Sequence, residues 1–283
     1  MRVKGSFTGH ERTDHLLFFD FDETYYPHAC TQELLEHVYE LEEYLEELAR
    51  EQFIKIIWVT GSGLPEVIQK MERARMTFSP HFIAGNLGTE LYEVNKQGQL
   101  KSNPSWEKKI RKSGFSGQKI VELERELFHQ YGIKLIEQTQ FGQKKYKWNY
   151  YYFISSETKS RYDLSIIKHL AKINGIGLNI NRCNPKAGDP ENAFDVDFIP
   201  LGTGKSEVVQ FMSNYYNVPI RRTTAFGDSG NDIDMLKAVQ HGYLVKNATP
   251  EAKQLHSNVT ASSYAKGIME TLQLIFNFEK ARE

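Results

Sequence analysis

Residues 16–24, Leu-Leu-Phe-Phe-Asp-Phe-Asp-Glu-Thr, place two carboxylates directly after an unbroken apolar run. The four apolar residues from Leu16 to Phe19 predict a strand that is buried on both faces, as in a parallel sheet. Ionised carboxylates beside an apolar core are costly unless a cation or a hydrogen-bond donor compensates them. The chain should therefore supply a compensating group for Asp20 and Asp22, unless these acids only cap the next helix.

The composition is that of an ordinary globular protein and indicates no charge-driven partner. Of the 283 residues, 40% are hydrophobic and 25% are charged, which are typical values. The 35 basic and 36 acidic residues nearly cancel, so we expect neither nucleic acid nor a membrane as partner. The length exceeds the usual size of about 100 to 200 residues for one domain. One large domain or two interleaved domains are therefore expected.

Two further features bear on the compartment. The cysteines, Cys30 and Cys183, match no zinc-binding spacing, and we expect buried free thiols. The N-terminal residues are charged and lack the apolar segment of a signal peptide, and no run approaches the roughly 18 apolar residues of a membrane-spanning helix. We therefore expect a soluble, cytoplasmic protein.

Alternating apolar strands and amphipathic helices predict a parallel sheet. Residues 31–51 have the apolar spacing of a helix, and residues 54–59 form a second apolar run. A helix that begins near Pro65 and a short strand at 81–84 follow. Such βαβ units imply parallel strands with right-handed crossovers. The same alternation resumes at residue 202 and continues to the end of the sequence.

The central segment follows a different pattern and is predicted to form a separate module. It contains strands that are not each followed by a helix, including the strongly aromatic residues 144–155 and a strand at 91–94. This pattern favours an antiparallel sheet of the α+β type, inserted into the parallel one. We therefore predict a discontinuous α/β core domain of residues 1–88 and 201–283, and an inserted cap domain of residues 89–200.

Polar residues stand at the predicted ends of four strands. In a doubly wound α/β sheet, ligands bind outside the carboxyl ends of the strands, so these residues should meet at one edge. Lys205 opens a predicted helix that begins beside the same edge. One such residue is common at a strand end, whereas a chemically matched set indicates a site. The set consists of Asp20 with Asp22, Thr60, Asn86, and Asp228 with Asp232.

These residues resemble the four sequence motifs of the haloacid dehalogenase superfamily of phosphotransferases. Residues 20–24, Asp-Phe-Asp-Glu-Thr, are similar to the first motif, and Thr60 in Val-Thr-Gly is similar to the second. Lys205 corresponds to the third motif, and residues 227–232, Gly-Asp-Ser-Gly-Asn-Asp, correspond to the fourth. The sequence departs from the family pattern at Glu23, where many relatives have glycine.

The resemblance implies a Rossmann-like core, with a parallel sheet flanked by helices, and an inserted α+β cap that determines substrate specificity. A cap placed after the third strand is similar to the type IIB cap of the sucrose-phosphate and Cof-type sugar phosphatases. The implied activity is that of a phosphoric monoester hydrolase that uses Mg²⁺ and forms an aspartyl-phosphate intermediate.

The resemblance also implies a substrate. Residues 20–25, 58–62, 181–185 and 195–200 are similar to a branch of the superfamily that acts on an aminosugar phosphate in antibiotic biosynthesis. We therefore expect kanosamine 6-phosphate, a 3-amino-3-deoxyglucose 6-phosphate, to be hydrolysed to kanosamine and phosphate. The alternatives are a phosphatase of another hexose 6-phosphate or of sucrose 6-phosphate, a phosphosugar mutase of the same fold, and an inactive binding module.

Catalytic roles are implied for four motif residues. Asp20 would attack phosphorus, and Asp22 would protonate the leaving sugar oxygen and then deprotonate water. Thr60 would hydrogen-bond a phosphate oxygen, and Lys205 would neutralise the charge that develops on the phosphoryl group. Simpler alternatives are that Thr60 caps the end of a strand and that Lys205 is a solvated surface side chain.

A magnesium site is implied at the same place. Mg²⁺ prefers oxygen ligands and would compensate the buried acids. The resemblance assigns it to Asp20, the carbonyl of Asp22, and Asp228. Asp232 belongs to the same metal site, either as a ligand or as the group that orients Lys205 or a metal-bound water. The alternative for Asp232 is an acid that only stabilises the N-terminus of a helix.

Candidates for substrate binding lie in both predicted domains. Lys147 and Arg182 stand in aromatic or turn-rich surroundings suited to sugar hydroxyls, but solvated surface charges are an equal alternative. A sugar amine would be cationic near neutral pH and would need a carboxylate, for which Asp189, Glu191 and Asp195 are candidates. The full set of substrate-binding candidates is Gly61, Ser62, Asn86, Lys147, Asn149, Arg182, Asn184 and Asn231.

Overall fold

Strands and helices make up most of the chain. The computed structural model describes residues 2–138, 143–183, 185 and 188–280. Within these residues the strands are β1 His15–Phe19, β2 Ile54–Val59, β3 Phe82–Gly85, β4 Glu90–Val94, β5 Leu100–Ser102, β6 Ile136–Glu137, β7 Gln143–Lys144, β8 Lys147–Phe153, β9 Ile176–Arg182, β10 Ala193–Pro200, β11 Thr223–Gly227 and β12 His241–Leu244. The helices are α1 Gln32–Glu51, α2 Leu64–Arg73, α3 Pro104–Lys112, α4 Gly117–Tyr131, α5 Glu157–Ile173, α6 Lys205–Tyr216, α7 Ile233–Lys237, α8 Pro250–Leu255 and α9 Tyr264–Lys280.

The first of two compact units contains a seven-stranded sheet. This unit comprises Met1–Asn103 and Lys205–Glu283. The strand order is β12-β11-β1-β2-β3-β4-β5, and the five strands from β12 to β3 are parallel. Strand β1 lies between β2 and β11, with Leu17 level with Ile56 and Thr224. The predicted α/β fold with a mainly parallel sheet flanked by helices is confirmed.

Strand β1 is central because its side chains are apolar on both faces. Leu16, Leu17, Phe18 and Phe19 are all buried, as the unbroken apolar run predicted. On one face, the rings of Phe19 and Phe226 stack with their centroids 5.6 Å apart. Helix α1 begins where the Thr31 hydroxyl accepts a hydrogen bond from a backbone N–H of the first turn, and it packs against α9. Leu17 and Phe19 of β1 belong to the same buried cluster as apolar residues of α1 and α9, and Asp20 follows directly after them.

The inserted segment has different boundaries from the predicted residues 89–200. Strands β4 and β5 pair antiparallel with β3 and with each other, so they extend the sheet of the first unit. The second unit accordingly comprises Pro104–Gly204. Sequence patterning assigned 91–94 to the insert because no helix follows that strand. An antiparallel edge added to a parallel sheet needs no such helix. The role of the second unit in substrate specificity stays a prediction.

The second unit contains the antiparallel sheet expected of the insert. Its strand order is β6-β8-β10-β9, with β7 paired to β8. Alternate residues of β8 and β10, among them Tyr150, Tyr152, Val196 and Phe198, enter one apolar cluster with α4 and α5. The intervening residues, which are mainly polar, project from the opposite face. Tyr150 and Tyr152 are therefore core residues.

Two smaller expectations also have outcomes in the structure. Cys30 and Cys183 are free thiols, but Cys30 is half-buried whereas Cys183 is buried. Within the described part of the chain, no helix has both the length and the apolar character needed to cross a bilayer.

A buried acid in α1 has a strongly shifted pKa. Glu42 is 1% exposed and accepts hydrogen bonds from the backbone N–H groups of Thr77, at 2.9 Å, and Phe78, at 3.3 Å. Burial raises its pKa from 4.5 to about 7, although both hydrogen bonds oppose the shift. The folded chain therefore keeps this proton at pH values where the unfolded chain has released it.

Glu42→Gln should remove part of the pH dependence of stability. In the parent, the free energy of unfolding should fall as pH rises from about 4.5 to about 7, by at most about 1.4 kcal/mol per pH unit. A glutamine stays neutral and should flatten this slope, while the exposed neighbour Glu43→Gln should leave it unchanged. Urea unfolding at several pH values measures the slope, and equal slopes in the parent and Glu42→Gln would contradict the assignment.

Candidate active site

The carboxyl ends of four neighbouring strands meet at one edge of the sheet. Asp20 follows β1, Thr60 follows β2, Asn86 follows β3, and Asp228 follows β11. All four are buried, with exposures from 0% for Thr60 to 8% for Asn86. Parallel neighbours end at the same edge, which is where ligands bind in this class of sheet. The residues singled out in the first unit are thus brought together.

Lys205 connects two of the buried aspartates. It is the first residue of α6, and its Nζ donates to Oδ1 of Asp20 at 2.6 Å and to Oδ1 of Asp232 at 2.7 Å. The exposure of Lys205 is 4%, so this side chain is not a solvated surface lysine. Burial alone would lower its pKa, but attraction to the two carboxylates outweighs burial and holds the pKa above its usual value.

Asp232 is occupied on both carboxylate oxygens. Its Oδ1 accepts from Lys205, and its Oδ2 accepts from the backbone N–H groups of Asp228 and Ser229, each at 3.1 Å. The side chain therefore closes the turn that begins at Gly227. A Cβ at Gly227 would lie only 2.4 Å from the Cβ of Asp232, so glycine is required there.

Three aspartates lie close together, and the neighbouring lysine does not balance their negative charge. Among the described residues, Asp20, Asp228 and Asp232 each offer a carboxylate oxygen, and these oxygens lie within 4.8 Å of one another. Lys205 supplies a single charge against the three acids. Burial and the neighbouring carboxylates raise the pKa of Asp20 to about 7, against the attraction of Lys205. The same causes raise the pKa of Asp228 well above its usual value. Hard oxygen ligands with uncompensated negative charge suit a divalent cation such as Mg²⁺.

Asp22 is held by four side chains from three segments. The hydroxyls of Thr60 and Ser62 donate to its Oδ2 at 3.2 and 2.7 Å. On the other oxygen, His28 Nε2 lies 2.8 Å from Oδ1, and Lys70 Nζ donates to the same atom. Burial would raise the pKa of Asp22, but the hydrogen bond with His28 and the charge of Lys70 outweigh it and hold this pKa below its usual range.

His28 and Lys70 were not among the predicted site residues. His28 follows Pro27 in the loop after the first motif, and a histidine in a loop has no distinctive spacing. Lys70 lies on α2, whose positions Val67 and Met71 are apolar and buried. A lysine on such an amphipathic helix normally faces solvent. Only the fold reveals that both side chains converge on Asp22.

Glu23 occupies a position in the first motif where many relatives have glycine, and the structure shows how a glutamate is accommodated there. Its φ of +57° is left-handed, a conformation that glycine adopts without strain. Several contacts hold the glutamate in place. Its carboxylate accepts from the backbone N–H of His28 at 2.9 Å and from the hydroxyl of Tyr264 at 2.8 Å, and its carbonyl accepts from the Asn247 amide at 2.7 Å. The side-chain contacts are unavailable to glycine and compensate the backbone strain.

The loops after β2 and β3 are joined by backbone hydrogen bonds. The N–H of Asn86 donates to the carbonyl of Ser62, and the N–H of Leu87 donates to the carbonyl of Thr60, each at 2.9 Å. The Thr60 hydroxyl also accepts from the N–H of Ser62 at 3.0 Å. Gly61, Ser62 and Asn86 therefore lie at the same edge as Asp22. Asn231 lies in the turn of the fourth motif, where its Oδ1 accepts from the Ser229 hydroxyl at 3.2 Å.

The remaining substrate-binding candidates belong to the second unit. Lys147 and Asn149 are buried in β8, with exposures of 7% and 5%, so Lys147 is not a solvated surface lysine. Arg182, at the end of β9, is exposed, and its guanidinium lies over the ring of Phe194 at 5.6 Å. Pairing places Arg182 on the apolar-facing side of the sheet, opposite to Asn149. The structure therefore does not bring Arg182 together with the other two. Asn184 lies outside the described residues.

Comparison with known proteins identifies the family. The family model described as sucrose-6F-phosphate phosphohydrolase matches residues 13–275. The chain belongs to this family. It is 45% identical over 263 residues to kanosamine-6-phosphate phosphatase of Bacillus subtilis, covering 93% of each chain. It is also 34% identical over 254 residues to an uncharacterized hydrolase of Staphylococcus aureus, covering 89% of this chain and 93% of that one.

Solved structures support the same assignment. A haloacid dehalogenase-like hydrolase of Bacillus subtilis matches with a TM-score of 0.76 and 42% identity, covering 97% of this chain and 96% of that one. The sucrose-phosphatase of a Synechocystis species, solved with sucrose and phosphate, matches with a TM-score of 0.69. At 20% identity, covering 92% of this chain and 97% of that one, it supports the fold alone. The predicted superfamily and the predicted class, a phosphoric monoester hydrolase, are confirmed.

Lys70→Met should lower turnover while leaving the fold intact. The variant removes a charged donor from Oδ1 of Asp22, and hydrogen bonds to charged groups contribute about 1.5–3 kcal/mol. We expect kcat for phosphate release from a hexose 6-phosphate to fall about 10- to 100-fold, with a smaller change in KM. Arg73→Met, an exposed basic residue on the same helix, is the matched control. Parental kcat in Lys70→Met would show that this contact has no part in turnover.

Proposed function

We propose that this chain hydrolyses the phosphate ester of a hexose 6-phosphate, with kanosamine 6-phosphate as the preferred substrate. The observation that carries the proposal is the buried aspartate cluster at the strand ends, with Lys205 bonded to Asp20. Such an arrangement can deliver a carboxylate to phosphorus and neutralise the charge of the phosphoryl group. The preferred substrate is proposed because the relative named for that reaction is 45% identical over 93% of both chains.

Asp20 is the proposed nucleophile. One of its carboxylate oxygens attacks phosphorus, the bond from phosphorus to the sugar oxygen breaks, and an aspartyl-phosphate forms. Lys205 contacts Oδ1 at 2.6 Å, which fixes the carboxylate and places a positive charge beside the incoming phosphoryl group. The rigid support of Lys205 by Asp232 favours this role over that of a mobile surface charge.

Asp22 is the proposed acid and base. It gives a proton to the leaving sugar oxygen and later takes one from the water that hydrolyses the aspartyl-phosphate. The hydroxyls of Thr60 and Ser62 and the side chains of His28 and Lys70 fix its orientation. These contacts fix the side chain before substrate arrives and favour its ionised form, which suits the base step. For the acid step, Asp22 must first take up a proton.

The aspartate cluster is suited to one Mg²⁺ ion. We assign the ion to Asp20, the carbonyl oxygen of Asp22, and Asp228, whose chemistry fits a hard cation. When bound, Mg²⁺ would neutralise charge on the transferring phosphoryl group and on the buried acids. Asp232 is better assigned to holding Lys205 and the turn at Asp228 than to direct ligation, because both of its oxygens are hydrogen-bonded.

Phosphate recognition is proposed for the loops after β2 and β3 and for the fourth motif. The hydroxyls of Thr60 and Ser62 donate to Asp22 in the structure and would turn to phosphate oxygens on binding, in the loop that also contains Gly61. Asn86 and Asn231 offer side-chain amides. The joining of the two loops through the hydrogen bonds of Asn86 and Leu87 supports a rigid binding edge. Rigid donors of this kind lower the cost of ordering the site on binding.

Asp20→Asn should abolish phosphate release. Asparagine keeps the shape of the side chain but is a poor nucleophile, so kcat should fall by at least about 10³-fold. Asp234→Asn, an exposed aspartate on α7, is the control and should keep parental activity. The assay follows free phosphate with Mg²⁺ present. Hydrolysis by Asp20→Asn at the parental rate would overturn the mechanism.

A substrate panel tests the proposed specificity in the same assay. Kanosamine 6-phosphate should give the highest kcat/KM among kanosamine, glucose, glucosamine and sucrose 6-phosphates. Appearance of an isomerised sugar phosphate without free phosphate would instead identify a mutase. Absence of any reaction with all four substrates would favour a binding module.

A further inference from the structure

One face of the sheet in the second unit collects acidic side chains. In an antiparallel sheet, residues directly opposite each other project on the same side. Asp195 lies opposite Tyr151, and Asp197 lies opposite Asn149. Asp189 is linked to this side because the Tyr151 hydroxyl donates to its Oδ1 at 2.9 Å. Asp189, Asp195 and Asp197 are together called the acidic face.

Neutral donors compensate these carboxylates only in part. Asp197 is 4% exposed and accepts hydrogen bonds from two asparagine amides, one on each oxygen. Asp195 accepts from Gln138 Nε2 at 2.7 Å. Lys147 is a nearby cation, and its attraction acts on Asp197. Among the described contacts, three carboxyl groups thus share one ammonium group, so the acidic face has more acidic than basic groups.

The electrostatics of Asp195 reflect this excess. Burial, followed by repulsion from Asp197 and Asp189, raises its pKa to about 7, although bonds with Gln138 and Cys183 oppose the shift. A cation placed beside Asp195 would relieve the repulsion and favour the ionised form.

A second observation indicates that a ligand with donors belongs here. Asn149 is 5% exposed, and its amide nitrogen donates to Asp197, which leaves its Oδ1 buried without a hydrogen-bond partner. A buried acceptor of this kind is costly unless a donor reaches it. An orphan acceptor on the same face of the sheet as these carboxylates matches a group that has only donors.

We propose that the acidic face binds the protonated amino group of an aminosugar, with Asp195 as its ion-pair partner. This inference rests on the proposed function and adds the group that distinguishes an aminosugar from a plain hexose. An ammonium has three donors and no acceptor, which complements these oxygens. Asp195 is chosen over Asp197 because amides already bond both oxygens of Asp197. Glu191 was a candidate from the sequence, but it is exposed, so we do not assign it to the acidic face.

Asp195→Asn tests the inference with two sugars that differ at the amine. We expect kcat/KM for kanosamine 6-phosphate to fall about 10- to 100-fold, because a charged hydrogen bond is lost. The value for glucose 6-phosphate should change less than about threefold, since a hydroxyl brings no charge to the site. Glu191→Gln is the matched control and should leave both values unchanged. Asp189→Asn should also lower kcat/KM for kanosamine 6-phosphate more than for glucose 6-phosphate, but by a smaller factor than Asp195→Asn, because Asp189 is more peripheral in the cluster.

Binding of kanosamine without its phosphate separates this inference from the proposed function. Calorimetry should detect kanosamine binding to the parent and a clear loss in Asp195→Asn, with parental thermal midpoints confirming the fold. Equal binding by both proteins, or an equal loss of kcat/KM for both sugar phosphates, would overturn the amine site while leaving the phosphatase assignment intact. Failure of the parent to release phosphate from either sugar would instead count against the proposed function.

Discussion

The structure depends on keeping several negative charges buried at the end of a hydrophobic strand. Asp20 follows four fully apolar residues of β1, and Asp228 and Asp232 lie beside it with almost no access to solvent. Lys205 is bonded to two of these acids and supplies the compensation that the chain itself can offer. Because one ammonium cannot balance three carboxylates, the site is prepared for further positive charge. The same imbalance makes it suited to a phosphate ester that arrives with a divalent cation.

Backbone geometry around the site serves this charge arrangement. The absence of a side chain at Gly227 lets Asp232 approach closely enough to bond two backbone N–H groups and Lys205 together. Glu23 takes a left-handed conformation and is tied to Tyr264, near the start of α9. Residues separated by about the whole length of the chain therefore support one small region. The first unit is discontinuous in sequence, yet its two parts form one mainly parallel sheet.

Much of the fold and of the candidate site could be predicted because apolar strands that end in polar residues leave a clear local pattern. Asp20, Thr60 and Asp228 are such strand ends. The pairing of β4 and β5 with β3 could not be predicted, since strand partners depend on long-range packing rather than local spacing. Lys70 was missed because a lysine on an amphipathic helix looks the same whether it meets solvent or a buried acid. Asp197 was missed because burial of its strand face becomes visible only when β8, β9 and β10 are aligned.

The central claim is that the acids from distant parts of the sequence hold one divalent ion. Crystals grown with Mn²⁺ in place of Mg²⁺, measured at a wavelength where manganese scatters anomalously, test it most directly. The account predicts one strong anomalous peak for a manganese ion that is bound by the carboxylates of Asp20 and Asp228, with Lys205 still in contact with Asp232. In crystals of Asp228→Ala, this peak should be absent. A manganese peak bound elsewhere, or one that persists at this position in Asp228→Ala, would contradict the account.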